Sequence, residues 1–164
     1  MKHIHNLKEL LIEQLQEQYD GEKQQLEAFP KLREKSTDNG LKQIVDSHIG
    51  KTRKQMQRIV SIFSMLNRDL YGEENKGIKG LVEEALDIAK RCTDEDTRDA
   101  SIVTSIQHFN HHNIASYGTL CAYAKSLDMY KIKQVLRECL EEEKQTDESL
   151  STLAEMSINP NAIH

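Results

Sequence analysis

Several residue types that mark other kinds of protein are scarce in this chain of 164 residues. It has two prolines, seven glycines and no tryptophan, and strand-like runs of Val, Ile, Thr and aromatic residues are missing. Its three cysteines, Cys92, Cys121 and Cys139, are widely spaced and form no Cys-x-x-Cys motif. This composition disfavours a β-rich fold, a disulfide scaffold and a zinc site, and it favours one domain of α-helices with free thiols.

Long apolar segments are also absent, so the sequence predicts neither a signal peptide nor a membrane-spanning helix. Cytoplasmic residence is therefore the default expectation. The net charge of -5 gives no indication of binding to nucleic acid. The sequence contains no phosphate-binding loop and no Ser-His-Asp or Cys-His arrangement, so we predict no catalytic residue and no cofactor-binding residue.

Apolar residues recur at helical spacing in five segments of the chain. The first segment covers about residues 3–35, and the second begins at Leu41 and ends near Asn67. A short segment from Ile78 to Ile88 follows the second one. These patterns predict two long helices joined by a tight turn, and then a short helix after a glycine-containing loop.

The second half of the chain has the same plan of two long helices and a turn. Thr93-Asp-Glu-Asp is a helix-start signal, Leu127-Asp-Met ends that helix, and the last helix extends from Ile132 to Leu153. We predict an all-α fold: an antiparallel four-helix bundle with an extra short helix between two helical hairpins. The bundle is expected to be a single domain over residues 1–156, with a flexible tail over residues 157–164.

Seven polar residues lie on the apolar stripes of these helices, where a bundle core should be hydrophobic. Ions and amides are costly to bury unless they are paired, hydrogen-bonded or bound to a metal. We call this set the polar belt, and its members are Glu22, His48, Lys51, Asn110, Asn113, Glu143 and Asp147.

The hairpins place the members of the polar belt at one height, because residues equally distant from an antiparallel turn lie side by side. The expected pairs are Glu22 with Lys51, Asn113 with Glu143, and Asn110 with Asp147. Within single helices the belt residues are three or four positions apart, which puts them on one face. This is the layout of a carboxylate-bridged di-metal site in a helical bundle.

The chain also resembles the YciE/YciF family of bacterial ferritin-like, rubrerythrin-like proteins, which are associated with stress responses. The resemblance covers roughly residues 4–155. The segments that carry it are Gln18-Tyr-Asp-Gly-Glu-Lys-Gln, Phe29-Pro-Lys-Leu, His48 with Thr52, Gln107-His-Phe-Asn-His-His-Asn-Ile-Ala-Ser-Tyr-Gly-Thr-Leu and Leu140-Glu-Glu-Glu-Lys-Gln-Thr-Asp-Glu-Ser-Leu. It implies a homodimer and an iron site, and the positions that match the metal-binding belt of the family are Glu22, His48, Glu143 and Asp147.

Three positions of the polar belt depart from the family pattern, because Lys51, Asn110 and Asn113 stand where the family has acidic residues. Two iron ions need several anionic ligands, and a protonated lysine cannot coordinate a metal. We therefore expect a degenerate di-iron site without a cofactor, replaced by a buried network of salt bridges and amides. In this network Lys51 would pair with Glu22, and Tyr117 would hydrogen-bond to the belt. The expected role is non-catalytic, structural or in protein interactions.

Two other interpretations are compatible with these residues. The four matching positions, Glu22, His48, Glu143 and Asp147, could retain a partial iron site for oxidant or iron handling. Alternatively, His108 or His112 could accept a phosphoryl group in a four-helix phosphotransfer module. The inward-facing belt gives no reason for that second fold, so it ranks last.

Overall fold

The computed structural model describes residues 3–163, so residues 1, 2 and 164 lie outside the described part of the chain. Within it, long helices form two antiparallel hairpins and a shorter helix connects them. The helices are α1 (Leu7–Lys35), α2 (Asn39–Leu66), α3 (Lys76–Arg91), α4 (Glu95–Ser126) and α5 (Tyr130–Leu153). The predicted fold is confirmed.

The two hairpins pack so that each long helix has two long neighbours. Helix α1 contacts α2 and α4, whereas α5 contacts α4 and α2. The short helix α3 lies against α1 and α4. No described helix combines the length and the apolar character that crossing a membrane requires.

Four helices begin at a short polar side chain that accepts a hydrogen bond from the backbone three residues later. Such N-caps satisfy amide groups that have no partner inside the helix. The capping residues are Asn6, Asp38, Asn75 and Asp94. The predicted start near Thr93-Asp-Glu-Asp is thus confirmed, with Asp94 as the cap of α4.

The C-terminal segment differs from the predicted flexible tail. After α5 the chain continues through a π-helical turn, Ala154–Ile158, and a short α-helical turn, Asn159–Asn161. Ile158 is 3% exposed and packs into the core, which anchors this segment. Pro160 lies at the start of the last turn.

The buried apolar residues form two separate clusters, one toward each end of the bundle. The first core cluster, near the α1–α2 turn, includes Phe29, Leu41, Ile106 and Leu150 together with the small helix α3. The second core cluster, near the α4–α5 turn, includes Leu15, Ile59, Leu120 and Leu136. On each long helix the buried residues between the two clusters are mainly polar.

The free cysteines agree with the sequence-based expectation. Cys139 is buried in the second core cluster, and Cys92 and Cys121 are half-buried. Burial raises the pKa of the Cys139 thiol to about 12, so this thiol stays protonated and unreactive.

A buried carboxylate on α4 fixes the turn between α1 and α2. Asp99 is 2% exposed and accepts hydrogen bonds from Thr37 N at 2.9 Å, Thr37 Oγ1 at 2.7 Å and Asp38 N at 2.7 Å. Charge-assisted bonds of this kind are stronger than neutral ones. Asp99 therefore joins the start of the second hairpin to the turn of the first.

Replacing Asp99 with alanine should destabilise the protein by about 2 kcal/mol, because three donors lose an anionic acceptor. The change is measured as the difference in free energy of unfolding from urea denaturation. Glu95→Ala, in the exposed first turn of the same helix, is the control and should have little effect. Equal stability of Asp99→Ala and Glu95→Ala would show that Asp99 does not fix the turn.

Candidate functional site

A layer of buried polar side chains crosses the bundle between the two core clusters. Five of the seven belt residues, Glu22, His48, Asn110, Asn113 and Glu143, are no more than 1% exposed and lie in it. Further buried side chains complete what we call the polar layer. They are Gln18, Gln25, Thr52, Gln55, Tyr117 and Thr146.

Glu22 on α1 receives two hydrogen bonds at one carboxylate oxygen. Tyr117 Oη donates to Glu22 Oε1 at 2.6 Å, and Gln18 Nε2 donates to the same oxygen at 2.9 Å. The expected bond between Tyr117 and the belt is therefore present. The other oxygen, Glu22 Oε2, is buried without a hydrogen-bond partner.

Glu143 on α5 is held by the two asparagines of α4. Asn110 Nδ2 donates to Glu143 Oε2 at 2.8 Å, and Asn113 Nδ2 donates to it at 3.2 Å. Neutral amides thus satisfy one oxygen of a fully buried carboxylate, while Glu143 Oε1 has no hydrogen-bond partner. The predicted contact between Asn113 and Glu143 across the second hairpin is confirmed.

A reciprocal amide pair links α1 to α4. Asn113 Nδ2 donates to Gln25 Oε1 at 2.9 Å, and Gln25 Nε2 donates to Asn113 Oδ1 at 3.1 Å. Gln18 Nε2 also donates to Asn113 Oδ1, at 3.2 Å. Gln18 and Asn113 thereby connect Glu22 to Glu143 through hydrogen bonds.

His48 on α2 lies in the layer without a hydrogen bond from either ring nitrogen. Its ring makes an edge-on contact with Phe29, with 4.8 Å between the ring centroids. Burial is the main reason that its pKa is lowered, so the ring is neutral near pH 7.

Two residues of the polar belt, Lys51 and Asp147, do not lie at the positions that were predicted from the sequence. Lys51 is half-buried and donates to Thr146 Oγ1 at 3.1 Å, and no carboxylate among residues 3–163 is within 4.0 Å of its ammonium group. The predicted pair between Lys51 and Glu22 is therefore wrong. Asp147 is also outside the layer, and its predicted contact with Asn110 is replaced by one with Gln107 Nε2 at 3.3 Å.

Helical geometry explains both differences. The inward residue near His48 is Thr52, four positions later, whereas the inward residue near Glu143 is Thr146, three positions later. Positions three and four residues apart both lie near one face, so spacing alone does not decide between them.

The three histidines of α4 do not form a cluster. His111 Nε2 lies 3.1 Å from Asp147 Oδ2, and its side chain is 66% exposed. His112 is half-buried beside Gly77, and His108 is exposed. No group of three or more His, Cys, Asp or Glu side chains within residues 3–163 is arranged to hold a metal ion.

Four residues of the polar layer, Gln18, Gln25, Gln55 and Thr146, are not identified as candidates from the sequence. Gln18 and Gln25 carry the clearest signal. They are four residues before and three residues after Glu22, so they lie on its helix face. That spacing is the signal that could have identified them. Glutamine is common on exposed helix surfaces, which makes the signal weak.

The electrostatic character of the polar layer is set by two buried carboxylates without a cationic partner. Among the described residues, no lysine, arginine or histidine lies within 4.0 Å of Glu22 or Glu143. Desolvation, and then the charge of Glu143, raises the pKa of Glu22 to about 8. A neutral Glu22 near pH 7 removes the repulsion between the two groups.

The side chains of the polar layer that could bind iron decide whether the layer fits a di-iron centre. The buried residues that could bind iron are two carboxylates and one imidazole, because Asp147 faces the surface and Asn110, Asn113 and Lys51 carry no negative charge. A dinuclear iron site needs more anionic ligands to offset its charge. The side chains present do not fit two iron ions.

The two antiparallel hairpins place this chain in the class of all-α helical bundle proteins. Residues 6–163 match the family described as a domain of unknown function, DUF892. The chain belongs to this family. The predicted relation to the YciE/YciF proteins is confirmed by the similarity of this chain to protein YciF of Escherichia coli.

The relatives match this chain over almost its whole length. Protein YciF of Escherichia coli strain K12 is 33% identical over 157 residues, covering 95% of each chain. The crystal structure of this stress protein has a TM-score of 0.90 and covers 95% of this chain and 99% of that chain. The structure of YcfI from Rhodopseudomonas palustris, described provisionally as a structural protein, is 35% identical with a TM-score of 0.90, covering 92% and 96% of the two chains.

The raised pKa of Glu22 predicts a specific dependence of stability on pH. The folded state holds a proton that the unfolded state releases near pH 4.5, so this residue's contribution to stability declines between about pH 4.5 and about pH 8. Glu22→Gln keeps a neutral side chain of the same size. Its free energy of unfolding relative to the natural protein should therefore rise as the pH rises through this range.

The measurement is urea denaturation of both proteins at pH 5 and pH 8. Glu27→Gln, an exposed position on the same helix, controls for the loss of one surface carboxylate. We expect its stability difference to stay constant with pH. A constant difference for Glu22→Gln as well would show that Glu22 is charged in the folded protein.

Proposed function

We propose that this chain is a non-catalytic, ferritin-like bundle protein with a degenerate di-iron site, and that its role is structural or in protein interactions under stress. The observation that carries the proposal is the pair of buried carboxylates, Glu22 and Glu143, held by amides and a tyrosine hydroxyl. Hydrogen-bond donors and a retained proton take the place of metal ions in this arrangement.

The position of the amides supports this proposal. Asn110 and Asn113 direct their NH₂ groups at Glu143, although a site for iron would use anionic oxygens there. The amide donors stabilise Glu143 without adding charge to the core. The sequence-based proposal is changed in one respect, because Lys51 is not an internal cation and the network consists of amides and a proton.

The relatives support the broader part of the proposal. The similar protein of E. coli is described as a stress protein, and the R. palustris protein is described provisionally as a structural one. We extend both descriptions to this chain as a hypothesis. A homodimer in the cytoplasm belongs to the same proposal and is tested by light scattering of the purified protein and by cell fractionation.

The second candidate function is a protein that retains a partial iron site for oxidant or iron handling. The observation in its favour is that Glu22 Oε2, Glu143 Oε1 and both nitrogens of His48 are buried without hydrogen-bond partners. A metal ion could accept lone pairs from the two carboxylate oxygens and from one nitrogen of His48, because the other nitrogen of a neutral imidazole carries a proton. Asp147, the fourth residue of that proposal, faces the surface and pairs with His111.

Metal titration separates the two functions. We expect elemental analysis of untagged protein, and anaerobic titration with Fe²⁺, to show no stoichiometric iron. Asn110→Glu combined with Asn113→Glu adds two carboxylates to the layer and should create measurable binding of Fe²⁺ or Co²⁺. The control Asn110→Gln with Asn113→Gln lengthens the same side chains without adding charge.

A tight site for one or two iron ions in the natural protein, with oxidation of Fe²⁺ by O₂, would overturn the non-catalytic proposal. In that case Glu22→Gln and His48→Gln should each weaken binding. Circular dichroism and urea denaturation check that each variant remains folded, so that loss of binding is distinguished from loss of the bundle.

A further inference from the structure

Lys51 occupies an unusual position in the groove between α2 and α5. Its ammonium group reaches Thr146 Oγ1 at 3.1 Å, and Thr146 is only 3% exposed. Lys51 is half-buried, and its charged end is held against Thr146 in the groove. Thr146 Oγ1 donates its own proton to the carbonyl of Glu142 at 3.0 Å, so it acts toward Lys51 as an acceptor.

Lys51 has no compensating charge at this place. Among residues 3–163, no carboxylate is within 4.0 Å of its ammonium group. Arg58, two turns later on α2, shows the contrast, because it makes two hydrogen bonds to the carboxylate of Glu142 at 2.8 Å and 3.0 Å. A partly desolvated cation is stabilised by a counter-ion, and Lys51 has none from the protein.

The acidic side chains near the groove are engaged with other groups or do not line it. Asp38, beside the lining residue Gly40, accepts a hydrogen bond from Leu41 N at 2.8 Å. Asp46 pairs with Arg33, Glu142 pairs with Arg58, and Asp147 pairs with His111. Glu143 is buried behind the groove in the polar layer, and Glu148 is exposed on α5. None of these carboxylates lines the groove at Lys51.

The groove forms a pocket of about 330 Å³ around Lys51. Its walls carry neutral groups that can donate hydrogen bonds, and one apolar side chain. We call it the Lys51 pocket, and the residues used here are Gln43, Ile44, Ser47, Lys51, Thr146 and Ser149.

We propose that the Lys51 pocket binds a small oxyanion, such as a phosphate group or a carboxylate. The ammonium group of Lys51 has three donors, of which one is used by Thr146, so two are available to an anion. Ser47 and Ser149, one on each helix, add hydroxyl donors, and the Gln43 amide adds another. Ser149 can turn its hydroxyl from the Gln145 carbonyl, which it contacts at 2.9 Å.

The chemistry of the walls sets the class of ligand. A cation among neutral donors favours an anion, and the absence of acidic lining residues disfavours a metal ion. The site lies in the α2–α5 groove and shares only Thr146 with the polar layer. It involves neither Glu22 nor Glu143, so it does not depend on the proposed function of that layer.

The test is a titration of the full-length, ¹⁵N-labelled protein with inorganic phosphate at constant ionic strength, followed by NMR. We expect saturable shifts of the backbone amide signals of Ser47 and Ser149, with a dissociation constant in the range of about 1–10 mM. Lys51→Gln should weaken binding by about tenfold or more, and Lys51→Arg should retain it. A parallel titration with acetate distinguishes a phosphate site from a carboxylate site.

Lys54→Gln is the matched control, because Lys54 is an exposed lysine one turn away on the same helix. It should change the affinity less than about twofold, since it alters only the screened surface charge. The proposal is overturned if no saturation occurs up to about 50 mM phosphate. It is also overturned if the shifts centre elsewhere, or if Lys51→Gln and Lys54→Gln weaken binding equally.

Discussion

The burial of two carboxylates at the centre of the bundle is the constraint on which the rest of this structure depends. Glu22 and Glu143 are 0% exposed and have no cation nearby among the described residues, so they need donors and at least one proton. The donors come from α1 and α4: Gln18, Asn110 and Asn113, with the hydroxyl of Tyr117. Each long helix contributes residues to the polar layer, although no α2 residue of the layer hydrogen-bonds to either of the two carboxylates: His48 has no side-chain hydrogen-bond partner, and Gln55 bonds to Glu142.

This arrangement separates the hydrophobic core into two parts. The first core cluster supports the α1–α2 turn and α3, and the second supports the α4–α5 turn. Apolar burial supplies the driving force for folding at both ends, whereas the polar layer contributes interactions with defined directions. The polar residues that interrupt the apolar stripe of each long helix therefore also determine where the two core clusters end.

Much of the architecture can be predicted from the sequence, because the segments with helical periodicity are long and the N-cap residues are easily recognised. Asp94 begins α4 as predicted, and Asn113 meets Glu143 as the equal distances from the second turn require. The environment of Lys51 was not predictable, since a residue three positions after His48 lies near the inward face without having to point inward. A long flexible side chain can turn toward the neighbouring helix, and Lys51 does so at Thr146.

The amide pair between Gln25 and Asn113 has a consequence for how the helices are aligned. Sliding α1 against α4 by one turn, about 5.4 Å, would bring the amides opposite apolar side chains and leave their donors and acceptors without partners. Leucine contacts at the two ends would tolerate such a shift far better, because apolar packing has little directional preference. The polar layer thus selects one alignment of α1 and α4 among those that the two apolar core clusters would allow. A buried asparagine sets the register of a coiled coil in the same way.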